Sequence, residues 1–235
     1  MYKDLKIKPP FFEIGPKAFL YGEEMLKLAK VIDKTAMKYD LDVIVTPQYT
    51  DIKLLADNTE RIFVFAQHMD YLTPGRGLGS VLPEAVKAAG AKGVMLNHAE
   101  KPISMETIEK TIRRAEEVGL MTIVCADTVE DVKNIAKLAP DMIVAEPTEL
   151  IGTGTTSDSN YVIETIKTVQ AINPDIMVLQ GAGISNGQDV YNTIKLGAQA
   201  TGTTSGIMKS DRPYEMVEEM LFNLRKAWNE VHNIV

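Results

Sequence analysis

Eight short apolar segments, separated by longer amphipathic ones, recur along the 235-residue chain, and this repeat limits it to very few architectures. The apolar segments are rich in Val, Ile and Met on both faces, which is typical of parallel strands covered by helices. They lie at 9–14, 42–47, 61–67, 93–98, 120–126, 141–147, 176–183 and 199–203.

The segments between these strands carry helix signals. Met25, Leu28 and Ile32 fall on one face of the first of them, and Gly90 and Gly119 stand where helices end. Helices are predicted over 22–39, 51–57, 80–89, 104–119, 128–138, 160–172, 187–196 and 213–232.

Eight strand–helix units with no linker between them predict a (β/α)8 (TIM) barrel, a single domain over residues 1–235. A doubly wound open sheet is the alternative. It calls for a glycine-rich turn after the first strand, and EIGPKAF (13–19) does not supply one.

Composition excludes several classes of protein. The net charge of −7 argues against a nucleic-acid-binding protein, which needs a basic surface. No apolar run reaches the roughly 18 residues of a membrane span, and the first 16 residues contain no signal-peptide core. The single Cys excludes an internal disulfide and a cysteine-based zinc site. We expect a soluble, cytoplasmic protein.

Three charged or titratable residues follow strands, where the active site of such a barrel lies. Glu146 follows MIVA, and partial burial there would raise its pKa and make it a better base. His98 ends the fourth apolar segment, and Lys17 follows the first and can screen negative charge. The structural alternatives are an ion pair for Glu146, a hydrogen-bonded core histidine for His98 and a solvated loop lysine for Lys17.

Small residues cluster after the sixth, seventh and eighth strands. Residues 147–154 begin with Pro and end in Gly-Thr-Gly, which suits a hinged lid but also an ordinary loop. The GAG run at 181–183 and the TSG run at 204–206 allow backbone N–H groups to approach an anion. We therefore predict a phosphate site built from backbone dipoles.

Several of these motifs together resemble those of the triosephosphate isomerase family. They are LNHAEK (96–101), VAEPTELIGTG (144–154), LQGAGIS (179–185) and the Lys17 loop. Residues 66–100 are especially similar to the short archaeal-type members. The resemblance implies an isomerase of glycolysis and gluconeogenesis that interconverts dihydroxyacetone phosphate and D-glyceraldehyde 3-phosphate through an enediolate, without metal or organic cofactor.

The resemblance also implies roles for individual residues. Glu146 would be the base, His98 the neutral electrophile and Lys17 the electrostatic clamp, while Glu100 matches the family's glutamate two residues after the histidine. The loop 69–79 is similar to the family's interdigitating third loop, so a homo-oligomer, dimer or tetramer, is expected. The expected substrate and phosphate contacts are Gly15, Gly152, Gly183, Thr204 and Ser205.

Two motifs depart from the family pattern. Gly15 stands where the family usually has the Asn of Asn-x-Lys, and Ala99-Glu100-Lys101 replaces Ser-Glu-Arg. If Gly15 opens space, a larger ketose phosphate such as a tetrulose phosphate becomes an alternative substrate. A catalytically silent barrel that binds phosphorylated ligands is a second alternative. A Schiff-base aldolase is disfavoured, because the sixth strand offers Glu146 rather than a lysine.

Overall fold

The computed structural model describes residues 7–234, and within them eight parallel strands close into a barrel in chain order. The last strand pairs with the first, so that Glu13 lies opposite Gly202. The predicted (β/α)8 barrel is confirmed. The strands are β1 (Phe11–Ile14), β2 (Asp42–Val45), β3 (Phe63–Ala66), β4 (Gly93–Leu96), β5 (Met121–Ala126), β6 (Met142–Ala145), β7 (Met177–Gln180) and β8 (Ala200–Thr203).

Helices cover the outside of this barrel between the strands. They are α1 (Gly22–Lys38), α2 (Ile52–Asn58), α3 (Pro83–Ala88), α4 (Met105–Val118), α5 (Val129–Ala136), α6 (Ser159–Ile172), α7 (Gly187–Lys195), α8 (Ser205–Met208) and α9 (Pro213–His232). No helix within residues 7–234 is long and apolar enough to cross a membrane.

Local sequence signals explain most of the helix ends. The Ser104 side chain accepts a hydrogen bond from the backbone of Thr107 at the start of α4, and Gly119 ends that helix in the left-handed conformation. Thr128 and Asp131 form a reciprocal capping box at the start of α5.

The helix predicted over 80–89 is wrong at its start. In the structure α3 begins at Pro83, and Leu82 is extended. Proline fits the first turn of a helix because it has no N–H to leave unpaired there, and it disfavours helical geometry in the residue before it. Residues 80–82 are therefore part of the preceding loop. The four-residue helix α8 was not predicted.

Apolar side chains form two layers, one inside the barrel and one between the strands and the helices. Along β1, Phe11 belongs to the inner cluster, whereas Phe12 and Ile14 belong to the outer one. Because successive side chains on a strand point to opposite faces, Glu13 shares the inner face with Phe11. A buried carboxyl group thus stands inside the barrel, near the end where the strands stop.

Candidate active site

One cavity of about 560 Å³ opens at the carboxyl ends of the strands. All the site residues predicted from the sequence line this cavity. They are Gly15, Lys17, His98, Glu100, Glu146, Gly152, Gly183, Thr204 and Ser205. The barrel therefore brings together residues that lie up to 190 positions apart in the chain, while their individual roles remain predictions.

Glu146 follows β6 and is held from one side. Its Oε1 accepts a hydrogen bond of 3.0 Å from the backbone N–H of Ala182, a residue in the left-handed conformation. Burial raises the pKa of Glu146, and this hydrogen bond and the charge of Lys17 oppose the rise. The second carboxylate oxygen, Oε2, is left facing His98.

The ring of His98 is held by a hydrogen bond on the side that faces away from Glu146. Its Nδ1 accepts the backbone N–H of Glu100 at 3.0 Å. Since a backbone amide can only donate, the proton of the neutral ring sits on Nε2, which lies 3.9 Å from Glu146 Oε2. Burial and the charge of Lys17 lower the pKa of His98, which favours the neutral ring.

Asn97 shapes the turn that presents His98. Its backbone is left-handed, with φ of 58°. The Asn97 side chain donates to the carbonyl of Cys125 at 2.9 Å and accepts from the N–H of Ile103 at 3.0 Å. The ring of His98 is therefore placed by a locked turn, a role that the sequence analysis did not assign to Asn97.

Lys17 has a left-handed backbone, with φ of 49°, and its carbonyl is the anchor of the loop. The side-chain amides of Gln48 and Gln67 donate to that carbonyl at 2.7 and 2.9 Å. Its Nζ forms an ion pair with Glu100 Oε1 at 2.7 Å, and this hydrogen bond lowers the pKa of Glu100. Because the Glu100 side chain is mostly exposed, it orients Lys17 from the rim of the cavity.

The loop after β6 packs directly against the loop after β7. Its first turn is fixed by Asp127, which accepts the N–H of Thr148 at 2.8 Å. At its far end, a Cβ added to Gly183 would lie only 1.9 Å from the carbonyl oxygen of Thr155. Gly152, between these ends, has φ of 74°. The loop that contains the predicted lid is thus in close contact with the predicted phosphate loop through Thr155 and Thr156, which directly follow the lid.

Glu13 is a residue of this cavity that the sequence analysis missed. Its Oε1 accepts a hydrogen bond of 2.9 Å from Thr46 Oγ1, and burial is the main cause that raises the pKa of Glu13 to about 8. A polar residue at an inward position of a buried strand, followed two residues later by glycine, is the signal that could have identified it.

Gly15 does not open free space, contrary to our expectation. A Cβ added to Gly15 would lie 3.0 Å from Glu13 Oε1 and 3.3 Å from the hydroxyl oxygens of Thr46 and Thr204. The carboxyl of Glu13 therefore occupies the volume that a longer side chain at position 15 would need. The argument for a larger substrate at this point of the cavity is lost.

Comparisons with known proteins agree with the motifs. The family model described as triosephosphate isomerase matches residues 17–220. The triosephosphate isomerase of Sulfurisphaera tokodaii is 38% identical over 226 residues, which cover 94% of this chain and 98% of that protein. The one from Methanocaldococcus jannaschii is 38% identical over 203 residues, 85% of this chain and 92% of that protein.

A solved structure shares the fold at much lower identity. The crystal structure of triosephosphate isomerase from Bartonella henselae matches with a TM-score of 0.75 and 15% identity. The match covers 94% of this chain and 99% of that chain. At this identity the likeness shows the architecture alone. The relationship to the family rests on the sequence identity to the archaeal relatives.

Proposed function

The chain belongs to the triosephosphate isomerase family, and we propose that it interconverts dihydroxyacetone phosphate and D-glyceraldehyde 3-phosphate, a reaction of glycolysis and gluconeogenesis. The observation that carries the proposal is the pairing of Glu146 with His98 across one cavity, 3.9 Å between Oε2 and Nε2. One group accepts a proton and the other donates a hydrogen bond. An aldose–ketose isomerisation needs these two operations.

Glu146, as the carboxylate, removes a proton from C1 of dihydroxyacetone phosphate. The electron pair left behind forms the double bond of an enediolate, and negative charge develops on the carbonyl oxygen. The same carboxyl group then returns the proton to C2. The raised pKa of Glu146 suits both steps, because a stronger base takes the proton more readily and still releases it.

His98 donates from Nε2 to the oxygen on which the charge develops. Its fixed tautomer supports this role, since Nδ1 is already engaged by the backbone of Glu100. The ammonium group of Lys17, held at the rim by Glu100, adds electrostatic stabilisation of the substrate and the intermediate. His98 also passes the hydroxyl proton between the two substrate oxygens.

Small and hydroxyl residues of the cavity suit the phosphate group. Gly152, Gly183, Thr204 and Ser205 line the cavity, and we assign phosphate binding to their backbone N–H groups and to the two hydroxyls. The lid at 147–154 keeps water from the intermediate, because an exposed phosphorylated enediolate eliminates phosphate.

The test is turnover of dihydroxyacetone phosphate by the purified protein, with glyceraldehyde 3-phosphate coupled to a dehydrogenase. Glu146→Gln and His98→Gln are each expected to reduce kcat by roughly 10²- to 10⁴-fold, the usual contribution of a positioned acid or base. Circular dichroism is expected to show that both variants are folded.

His232→Gln is the matched control, because His232 lies on α9, stacked on Trp228, and is not among the residues that line the cavity. It is expected to retain wild-type kinetics. Faster turnover of a tetrulose phosphate than of dihydroxyacetone phosphate would mean that the tetrulose phosphate is the substrate. Binding of 2-phosphoglycolate without turnover of either sugar would refute the isomerase and leave a binding barrel.

We also propose that the chain assembles as a homo-oligomer through the loop after β3. A hydrogen bond holds the two ends of this loop together, since Asp70 Oδ2 accepts the backbone N–H of Val81 at 2.7 Å. The loop between them is almost wholly exposed, with Leu78 fully in solvent and Tyr71 about half exposed. Two exposed apolar side chains on a loop whose ends are held together offer a surface that a partner can cover. Sedimentation velocity of wild type and Leu78→Asp tests this, and equal monomeric masses would refute it.

A further inference from the structure

The proposed mechanism leaves one buried ionisable group of the cavity unused, the carboxyl of Glu13. It is built into the barrel between two glycines. A Cβ at Gly15 would lie 3.0 Å from Glu13 Oε1, and a Cβ at Gly202 would lie 3.0 Å from Oε2. Such contacts are closer than real side chains tolerate without displacement. The absence of side chains at positions 15 and 202 is therefore what makes room for this carboxyl group.

The carboxyl is only partly engaged by the protein. Within residues 7–234, its sole hydrogen bond is the one that Oε1 accepts from Thr46 Oγ1. Oε2 makes no hydrogen bond, and it is not one of the side-chain oxygen atoms that are both fully buried and without a partner. Because Glu13 lines the cavity, Oε2 has hydrogen-bonding capacity that a ligand in the cavity can use.

The titratable neighbours of Glu13 come from three parts of the barrel. Glu146 after β6 raises its pKa and Lys17 after β1 lowers it, both less than burial does. Glu13 in turn contributes to the raised pKa of the buried Cys125 thiol on β5. With its pKa raised to about 8, the carboxyl of Glu13 carries a proton at neutral pH. A protonated carboxyl donates one hydrogen bond, as an amide N–H does.

We propose that Glu13 is a further substrate-contacting residue, whose carboxyl occupies the space of an amide at position 15 and hydrogen-bonds the oxygen atoms at the reacting end of the substrate. This rests on the proposed isomerase function for the identity of the substrate. The motif Glu13-Ile14-Gly15 thus replaces the family's Asn from two residues upstream on the same strand face.

The experiment compares wild type with Glu13→Ala, Glu13→Gln and the double variant Glu13→Ala/Gly15→Asn. For each, kcat and KM for dihydroxyacetone phosphate are measured from pH 6 to 9.5, and the affinities for 2-phosphoglycolate and inorganic phosphate by calorimetry. Glu13→Ala is expected to lower kcat/KM and 2-phosphoglycolate affinity by about tenfold to a hundredfold, the effect of one hydrogen bond to a charged group. Inorganic phosphate lacks the oxygen atoms of the reacting end, so its affinity is expected to fall less than that of 2-phosphoglycolate.

Two further results test whether Glu13 acts in its protonated form, as a hydrogen-bond donor. Wild-type kcat/KM is expected to fall as pH rises through about 8, where Glu13 loses its proton. Glu13→Gln keeps a donor that does not ionise, so this decline is expected to vanish while activity near pH 7 is retained. The double variant supplies an amide from position 15 and is expected to recover activity lost in Glu13→Ala.

Asp33→Asn is the matched control, since Asp33 is a buried carboxylate that accepts backbone N–H groups of residues 60–62 outside the cavity. It is expected to lose stability and keep wild-type kinetics. Unchanged kinetics and 2-phosphoglycolate affinity in Glu13→Ala would overturn the proposal, and so would tighter 2-phosphoglycolate binding, which would mean that Glu13 repels the ligand. If wild type fails to isomerise but Glu13→Ala still weakens 2-phosphoglycolate, the isomerase assignment fails and the contact stands.

Discussion

Replacing Gly183 by Ala tests whether the loop after β6, which contains the lid, must stay in contact with the phosphate loop. Gly183 has φ of 71°, a region that costs an L-residue roughly 1–2 kcal/mol. The added Cβ would also lie 1.9 Å from the carbonyl oxygen of Thr155 and 2.6 Å from the N of Thr156. These are backbone atoms, so no side-chain rotation relieves the overlap.

The size of the expected effect follows from that overlap. Thr155 and the phosphate loop must separate by about 1.1 Å before their contact reaches 3.0 Å, the shortest that real Cβ atoms tolerate. A misplacement of about 1 Å at a reacting centre costs on the order of 10²-fold in rate. We therefore expect Gly183→Ala to lower kcat/KM by about 10²-fold. The positive φ alone lowers the free energy of unfolding by roughly 1–2 kcal/mol, and the overlap adds to this loss.

The matched control is Gly197→Ala, in the turn after α7. Gly197 also has a positive φ, 98°, but a Cβ there would meet no atom within 4 Å. Gly183→Ala is expected to lose more stability than Gly197→Ala in thermal unfolding, because the overlap adds to the cost of the positive φ, and only Gly183→Ala is expected to lose activity in the coupled assay. Equal kcat/KM in the two variants would refute the idea that contact between the loop after β6 and the phosphate loop matters for catalysis.

Two other predictions concern charge and buried hydrogen bonds. Since Glu146 acts as a carboxylate, kcat/KM is expected to fall as pH drops through its raised pKa, above 4.5. Lys17→Met removes a positive charge that lowers this pKa, so the acidic limb of the pH profile is expected to move to higher pH. An acidic limb that does not move would contradict the prediction. Asp33→Asn leaves Arg61 and Ile62 N–H groups without a charged acceptor, and is expected to cost about 1–3 kcal/mol in urea unfolding; no change in midpoint would count against that role.

The fold was largely predictable because its signal is repeated. Each strand is visible in the sequence as an apolar run, and capping residues such as Ser104 and Gly119 mark the ends of helices. The start of α3 was misplaced because the apolar pattern continues upstream of Pro83. The restriction that Pro83 places on the backbone of Leu82 can be read from the sequence, and it marks the helix start where the apolar pattern does not.

The candidate site was predictable where a residue follows a strand and not where it lies inside one. Glu146 and His98 follow apolar runs and are easily noticed. Glu13 lies within a strand, and only the closed barrel places it opposite Gly202 and beside Thr46. Gly15 was misinterpreted for the same reason, since an absent side chain predicts space only when no neighbour occupies that space.

The shared volume of positions 13 and 15 also restricts how such an enzyme evolves. In a lineage with a small residue at 13 and Asn at 15, a glutamate gained first must hold its carboxyl away from the position seen here, since a Cβ at 15 would lie 3.0 Å from Glu13 Oε1. Loss of the Asn side chain before the gain of the carboxyl avoids this displacement. Geometry therefore favours that order, and reconstructed ancestors are expected to contain glycine at 15 before glutamate at 13.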